Sequence, residues 1–175
     1  MKLFCFFLFI IIFPFNIYST EIATFKLLYI IDNSLEFDDF IKKLDTLKAE
    51  MQKELLIDEN ILIEKKNKLE ESKMIFSETE YNQKIENYNS LANVFKEKLD
   101  EFNNNINMNI EKNKKVLINE IIEITKKLSL NKKFDIILNE DQYFIASDNV
   151  DISNQIIEML NKKQLDLEII ELPQQ

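Results

Sequence analysis

Hydrophobic positions along this chain follow two different periods, and each period predicts a different kind of element. Residues 22–31 (IATFKLLYII) form a short apolar run that is rich in β-branched and aromatic side chains. Such a run is too short for a typical helix and predicts a buried strand. The polar residues 32–34 end it and can cap the helix that follows.

A helical period begins at Phe37, where apolar residues start to recur every three or four positions. This first seam consists of Phe37, Phe40, Leu44, Leu47, Met51, Leu55, Leu62, Leu69 and Phe76. Because Asp58 and Lys65 occupy two of its later positions, we expect the packing to weaken along this helix.

A turn is predicted at residues 76–80, since Ser77 and Glu80 have the spacing of a capping box and a new seam starts immediately afterwards. The second seam consists of Tyr81, Ile85, Tyr88, Ala92, Phe95, Leu99, Phe102 and Ile106, and then Ile110, Leu117, Ile121, Ile124 and Leu128. Folding the chain back at Ser77 gives two arms of about 40 residues, each roughly 60 Å long. The pattern therefore predicts a projecting antiparallel helical hairpin over residues 35–117.

The second seam slips by one residue within the asparagine-rich stretch 103–109. Asparagine has low helix propensity, and a slipped seam changes the local winding of a packed helix. We therefore expect a local bend or loosening at this stretch.

Strand-like periodicity returns after Leu128. Residues 134–139 and 143–146 predict two strands joined by a polar connection, and residues 22–31 would complete a sheet of about three strands. Residues 148–153 then predict a cap for a short helix. The fold class is α+β and mostly helical, with a small β body that carries the hairpin.

The predicted elements divide the chain after residue 20 into one domain and a tail. The body would comprise residues 22–34 and 118–163, so that body and hairpin together form one domain over residues 21–163. The tail, residues 164–175, alternates leucine, acidic and isoleucine residues, and its pattern does not distinguish a strand from disorder.

The N-terminus has the pattern of a secretory signal peptide. Lys2 precedes an apolar run over residues 3–15, which is shorter than the roughly 20 residues needed to span a bilayer. We expect cleavage after Ser19 or Thr20, which assigns residues 1–20 to the signal. The single Cys5 leaves with it, so the exported chain is expected to have no disulfide and no stable membrane insertion.

The composition excludes several classes of function. The chain has 175 residues, a net charge of -9, and no Gly, His or Trp. Without His and Gly, the usual nucleophile and base pairs and phosphate-binding loops cannot be assembled, so we expect no enzyme, no cofactor and no metal site. The acidic charge also argues against nucleic-acid binding, which needs cationic side chains at the phosphates.

Two acidic pairs could be imagined as a metal site or as an acid and base: Asp38 with Asp39, and Asp148 with Asp151. The first pair lies at a predicted helix start, where carboxylates stabilise the helix dipole, and the second lies in a predicted cap. Helix capping is therefore the preferred interpretation of both.

Segment 134–160 (FDIILNEDQYFIASDNVDISNQIIEML) resembles the C-terminal signature of the Skp/OmpH family. That signature has an apolar strand ending in a polar turn, an aromatic-containing strand, a Val-Asp-Ile-Thr type of cap and a helix. Residues 150–153 (VDIS) form the cap, with Ser153 in place of the usual Thr. The first strand and Asp32 also resemble the opening of that family, and the layout matches over residues 22–163.

The resemblance implies a homotrimer in which small sheets join into a body and three hairpins surround a cavity. It implies an ATP-independent holdase chaperone that binds unfolded outer-membrane proteins in a bacterial periplasm and prevents their aggregation. Familiar members are basic, whereas this chain is acidic and lacks Arg, so lipopolysaccharide binding is not carried over. Residues 164–175 extend beyond the family pattern and receive no role from it.

Two sets of residues are predicted to carry this function. Trimerisation would use apolar side chains of the predicted sheet: Leu28, Ile30, Ile136, Leu138 and Phe144. Clients would bind weakly, at many points, to apolar residues off the seams in the far half of the arms: Ile61, Ile63, Met74, Ile75, Leu91 and Val94. For any one of these six, a scattered surface hydrophobe without function is an equally good explanation.

A second hypothesis is a structural coiled coil, either secreted or anchored in the membrane by an uncleaved N-terminal helix. It draws support from Ile17 and Tyr18, which are bulky where a cleavage site prefers a small residue. The predicted strand pair near Phe134 argues against it, because a simple rod does not need a sheet.

Overall fold

The computed structural model describes residues 19–171, so the predicted signal peptide and its apolar run lie outside the described residues except for the two positions at the predicted cleavage site. Its helices and strands are β1 (Ile22–Phe25), α1 (Leu27–Asp32), α2 (Leu35–Ser72), α3 (Glu78–Lys132), β2 (Ile136–Asn139) and α4 (Ser153–Leu160). Short 3-10 turns at Glu140–Gln142 and Asp148–Val150 lie between β2 and α4. The chain is mostly helical with a small sheet, as the sequence predicts.

Helices α2 and α3 form the predicted hairpin, with 38 and 55 residues respectively. The capping box is present at the start of α3. The Ser77 hydroxyl accepts a hydrogen bond from the Glu80 backbone N–H at 3.4 Å, and Glu80 Oε2 accepts one from the Ser77 N–H at 3.1 Å. These two bonds satisfy N–H groups that a helix start leaves without partners, and they fix the point where the second arm begins.

The hydrophobic core lies at the base of the hairpin. It joins α2 and α3 to the body through one cluster: Ala23, Ile30, Ile31, Phe37, Phe40, Leu44, Phe102, Ile106, Leu117, Ile121, Ile124, Leu128, Ile152, Ile156 and Leu160. Between Leu44 and Phe102, no described hydrophobic side chain is fully buried. The predicted weakening of the seam is therefore confirmed, and the far half of the hairpin is held by half-buried residues only.

The sheet is smaller than predicted. Strand β1 pairs in parallel with β2, with Ile22 opposite Ile136 and Phe25 opposite Asn139. The predicted strand over residues 22–31 is wrong beyond Phe25, because residues Leu27–Asp32 form helix α1. The N-terminal N–H groups of this helix find distant partners, since Leu27 donates to Asn139 Oδ1 at 3.3 Å and Leu28 donates to Glu140 Oε1 at 3.2 Å.

The predicted strand at residues 143–146 does not form, and the sheet has two strands rather than three within the described residues. Asn139 and Gln142 close a 3-10 turn, in which the Asn139 N–H donates to Gln142 Oε1 at 2.9 Å. The chain then reaches the other edge of β1, where Asp151 bridges to Thr24 and the Ile152 N–H donates to the Thr24 carbonyl at 2.8 Å. One edge of β1 therefore pairs with β2 and the other edge contacts residues 151 and 152. Within the described residues, β2 has β1 as its single strand partner.

Helix α3 runs without a break through residues 103–109, so the helix is not loosened there, and a bend at this stretch stays a prediction. The helix ends at Lys132, and the next residue, Lys133, has a φ of 58°, in the left-handed region that glycine usually occupies at helix ends. Because the chain has no glycine, a lysine takes this conformation. The Ser129 hydroxyl donates to the Phe134 carbonyl at 3.0 Å and helps to direct the chain into β2.

Candidate functional site

The apolar residues predicted for client contact all lie exposed on the hairpin. Their exposed fractions range from 41% for Leu91 to 99% for Met74. Leu56 and Ile57, at 56% and 60% exposure, are two further exposed apolar residues of α2 that are not in the predicted set. Their exposure follows from the sequence, since residues 55–57 are three consecutive apolar residues and only one of them can face the seam.

Three of the predicted residues come together on one surface. Ile61, Leu91 and Val94 line a groove of about 110 Å³ between the arms, together with Leu62, Phe95, Asp58 and Lys98. Met74 and Ile75 lie in the turn at the tip. The groove is below the roughly 300 Å³ of a small-molecule site, so it suits weak contact with a side chain better than capture of a ligand.

The residues predicted for oligomerisation do not share one environment. Leu28, Ile136 and Phe144 are exposed, Leu138 is half-buried, and Ile30 is fully buried in the protomer's own core. Ile30 therefore cannot contact a partner, which corrects its place in the predicted set. The reason is that it lies on helix α1, whose inner face packs into the body, and not on a strand. Ile145, beside Phe144, is also exposed and was missed.

The VDIS segment, residues 150–153, links β1 to α4. Asp151 accepts a hydrogen bond from the Ser153 N–H at 2.8 Å and forms an ion pair with Lys26 at 3.1 Å, while the Ser153 hydroxyl accepts from the Lys26 N–H at 2.9 Å. Partial burial on its own raises the pKa of the Asp151 carboxyl, but the Ser153 and Lys26 hydrogen bonds outweigh it, and the pKa lies below its usual value. The segment has a structural role in the body.

The other acidic pair is also accounted for by local structure. Asp38 and Asp39 pair with Lys42 and Lys43 one turn along α2, each at 2.6 Å. Within residues 19–171, no group of His, Cys, Asp or Glu side chains is arranged to hold a metal ion. No helix in that same range is long and apolar enough to cross a membrane.

An asparagine ladder lies on α3 at the stretch predicted to be loose. Asn105, Asn109 and Asn113 are four residues apart, are almost fully buried, and bind the backbone of the tail. Asn113 donates to the Glu168 carbonyl at 2.9 Å and accepts from the Glu168 N–H at 3.0 Å. Asn109 makes the same pair of bonds with Ile170, at 3.0 and 2.7 Å, and Asn105 adds a third bond to the Ile170 carbonyl at 2.9 Å.

The tail that meets this ladder is extended and two-sided. Leu165, Leu167 and Ile169 are half-buried against the core cluster, whereas Asp166 and Glu168 between them are exposed. Glu168 is also 3.4 Å from Lys112, and Lys163 pairs with Glu120 where the tail begins. The sequence assigns the tail no role, since it extends beyond the family pattern; in the structure its backbone binds helix side chains and not a strand.

Helix, tail and body together define a mostly helical protein in which a small body carries a long hairpin with exposed apolar residues. Residues 21–160 match the family model "Outer membrane protein (OmpH-like)", and the chain belongs to this OmpH-like family. This result confirms the resemblance drawn from the C-terminal segment, and the family supports a role as a chaperone.

A solved structure from Caulobacter crescentus CB15 has a similar fold. It is described as an OmpH-like outer membrane chaperone, and it superposes with a TM-score of 0.73 at 17% sequence identity. The alignment covers 90% of this chain and 95% of the Caulobacter chain. No curated protein matches the sequence.

Proposed function

We propose that this protein is an ATP-independent periplasmic holdase, which binds unfolded outer-membrane proteins and prevents their aggregation before membrane insertion. The observation that carries this proposal is the hairpin surface. Its far half exposes Leu56, Ile57, Ile61, Ile63, Leu91 and Val94, although no buried core lies beneath them. Side chains of this kind gain little for the fold of the protomer and remain available to a client.

Binding would be weak at each residue and strong in sum. Burial of one Ile or Leu side chain contributes about 1.5–3 kcal/mol, and an unfolded chain offers many apolar segments that could contact several such residues at once. The exposed positions lie among charged side chains, which keeps the free surface soluble. No chemical step is required, and the proposal assigns no catalytic residue.

Assembly into a homotrimer is part of the proposal. The body exposes Leu28, Ile136, Phe144 and Ile145, and its two-stranded sheet is small for an independent unit. Contact between bodies would cover these side chains and place several hairpins around one client. Export by the N-terminal signal would bring the protein to the periplasm, where such clients pass.

The test is aggregation of a urea-unfolded outer-membrane β-barrel on dilution, with residues 21–175 present and the mass of the oligomer measured in the same buffer. The proposal predicts suppression of light scattering by a trimer, without ATP. A well-folded oligomer that leaves aggregation unchanged would contradict it and favour the structural coiled coil.

A further inference from the structure

In the tail, the side chains of the asparagine ladder form hydrogen bonds only with backbone groups. Each of Asn109 and Asn113 binds both the N–H and the C=O of a single tail residue, Ile170 and Glu168 respectively. Main-chain groups are common to all polypeptides, so recognition of this kind does not depend on the side chains of the bound segment. The ladder therefore has the chemistry of a general site for extended chains.

The geometry of helix and tail explains why the ladder fits an extended segment. Four residues of helix rise about 6 Å, and two residues of an extended chain span about 6.6–6.8 Å. Asparagines at every fourth helix position can thus meet every second residue of an extended chain. Asn105 also orients its neighbour, because its carbonyl and its side-chain Oδ1 both accept from Asn109 Nδ2 at 3.0 Å.

The side chains of the tail add a second requirement, which is alternation. Leu165, Leu167 and Ile169 pack against the core cluster, while Asp166 and Glu168 face solvent. Strands of transmembrane β-barrels alternate apolar and polar residues with this same period of two. Over residues 165–169 the tail therefore has the alternating pattern of part of an outer-membrane strand.

We propose that the ladder, with the apolar surface beside it, is a binding site for extended polypeptide segments of alternating pattern, and that the tail is an internal occupant that a client strand replaces. This inference rests on the proposed holdase function and names a second client site, at the base of the hairpin. Because the tail is tethered, it competes at a high effective concentration, and only clients offering several contacts at once displace it.

The first test is peptide binding to a full-length exported chain (residues 21–175) whose tail is released. Leu165→Ser, Leu167→Ser and Ile169→Ser remove the packing of the tail and leave the ladder intact. The probe is a fluorescein-labelled peptide with the sequence of residues 164–175, followed by fluorescence polarisation. A peptide of the same composition without alternation is the matched control, and circular dichroism checks that each variant is folded.

We expect the tail-released chain to bind the alternating peptide about tenfold more tightly than the wild type, in which the tail competes. Adding Asn109→Ala and Asn113→Ala should weaken that binding by about tenfold, because alanine keeps the helix and removes four hydrogen bonds to the peptide backbone. Equal binding by wild-type and tail-released chains, or by chains with and without the asparagines, would overturn the inference.

Hydrogen exchange on the unaltered chain gives a second test that needs no variant. The N–H groups of Glu168 and Ile170 are held by the ladder, so they should exchange slowly in the free protein and at least several-fold faster when an unfolded β-barrel is bound. Unchanged exchange at these two amides with client bound would overturn the inference.

Aggregation assays with the same variants separate this inference from the proposed function. Both the holdase function and the ladder as a client site are supported if the wild type suppresses aggregation, tail release increases the suppression, and the asparagine substitutions reduce it. Suppression that is identical in all variants leaves the holdase function standing and overturns the ladder as a client site. Tight peptide binding without any suppression upholds the ladder as a peptide site and contradicts the holdase function.

Discussion

Lys98 forms an ion pair with Asp58 across the two arms of the hairpin, with Nζ 2.8 Å from Oδ2. Both side chains are partly exposed, and neighbouring Leu99, which the sequence pattern places in the seam, faces solvent. At this level the ion pair lies beside the half-buried Leu62 and Phe95, and no fully buried apolar side chain joins the arms. The far half of the hairpin is therefore its weakest section.

The contribution of this pair to stability is expected to be small. A double-mutant cycle with Asp58→Ala and Lys98→Ala, read from urea unfolding, should give a coupling free energy of about 0.2–1 kcal/mol. The coupling should shrink in about 1 M salt, where the screening length is about 3 Å. Asp38 and Lys42, which pair within α2, are the matched control because they do not join the arms. A salt-independent coupling above about 2 kcal/mol would contradict this account.

The base of the hairpin should behave differently, because its side chains fill a core. Leu117 is fully buried, so Leu117→Ala should lower the free energy of unfolding by about 2–5 kcal/mol through the lost burial and the cavity left behind. Leu130 is 81% exposed on the same helix, and Leu130→Ala should change stability by less than about 0.5 kcal/mol. Similar urea midpoints for the two variants would show that the core is wrongly placed.

The turn at the tip depends on the capping box. Ser77→Ala removes the acceptor for the Glu80 N–H and should destabilise the start of α3 by about 1 kcal/mol. Hydrogen exchange should quicken at residues 78–81 and remain unchanged at the base of the hairpin. Ser90→Ala, at an exposed interior position of α3 beyond its first turns, is the control, and an equal effect of both substitutions would argue against the cap.

The Asp151 and Lys26 contact predicts how stability depends on pH. The pKa of Asp151 is lowered in the folded protein, so its contribution is present above the ordinary value of 3.8 and is lost as the pH falls through the lower folded-state pKa. The pKa of Lys26 is raised from 10.5 by its hydrogen bond with Asp151, so this contribution is lost as the pH rises through the higher folded-state pKa.

Asp151→Asn tests this dependence directly. In thermal unfolding below about pH 4, the variant should lose less stability than the wild type as the pH falls, since it has no carboxyl to protonate. Asp39→Asn, at an exposed position outside the body, is the control. The same acid profile for wild type and Asp151→Asn would contradict the role assigned to the VDIS segment.

The sequence predicts the hairpin well, because its two apolar seams are long enough to establish a helical period. The two arms, the turn at Ser77 and the weakening beyond Leu44 all follow from periodicity over dozens of residues. Short apolar runs did not carry enough information, because Leu27–Asp32 suits a buried helix as well as a strand. The helical conformation of this segment is stabilised by Asn139 and Glu140, which accept hydrogen bonds from its first N–H groups and lie more than a hundred residues away.

The asparagine ladder shows a different limit of sequence reasoning. The slipped seam and low helix propensity predict loosening at residues 103–109, whereas hydrogen bonds from Asn105 and Asn109 to the tail hold this part of the helix. Asn109 and Asn113 each make two hydrogen bonds to the tail, which together contribute about 1–3 kcal/mol per asparagine and exceed the propensity cost of that residue. The four-residue spacing of Asn105, Asn109 and Asn113 was visible in the sequence, but the partner that explains it was not.

Exposed apolar residues of the arms are proposed to hold the client. This proposal is tested by the concentration of protein needed for half-suppression of β-barrel aggregation, compared between two folded variants. Ile61→Ser with Leu91→Ser alters the arm groove, and Ile122→Ser with Leu130→Ser alters exposed apolar positions near the body. The account predicts that the arm variant needs about fivefold more protein, or about 1 kcal/mol, while the control matches the wild type. Equal half-suppression by both variants would contradict the claim.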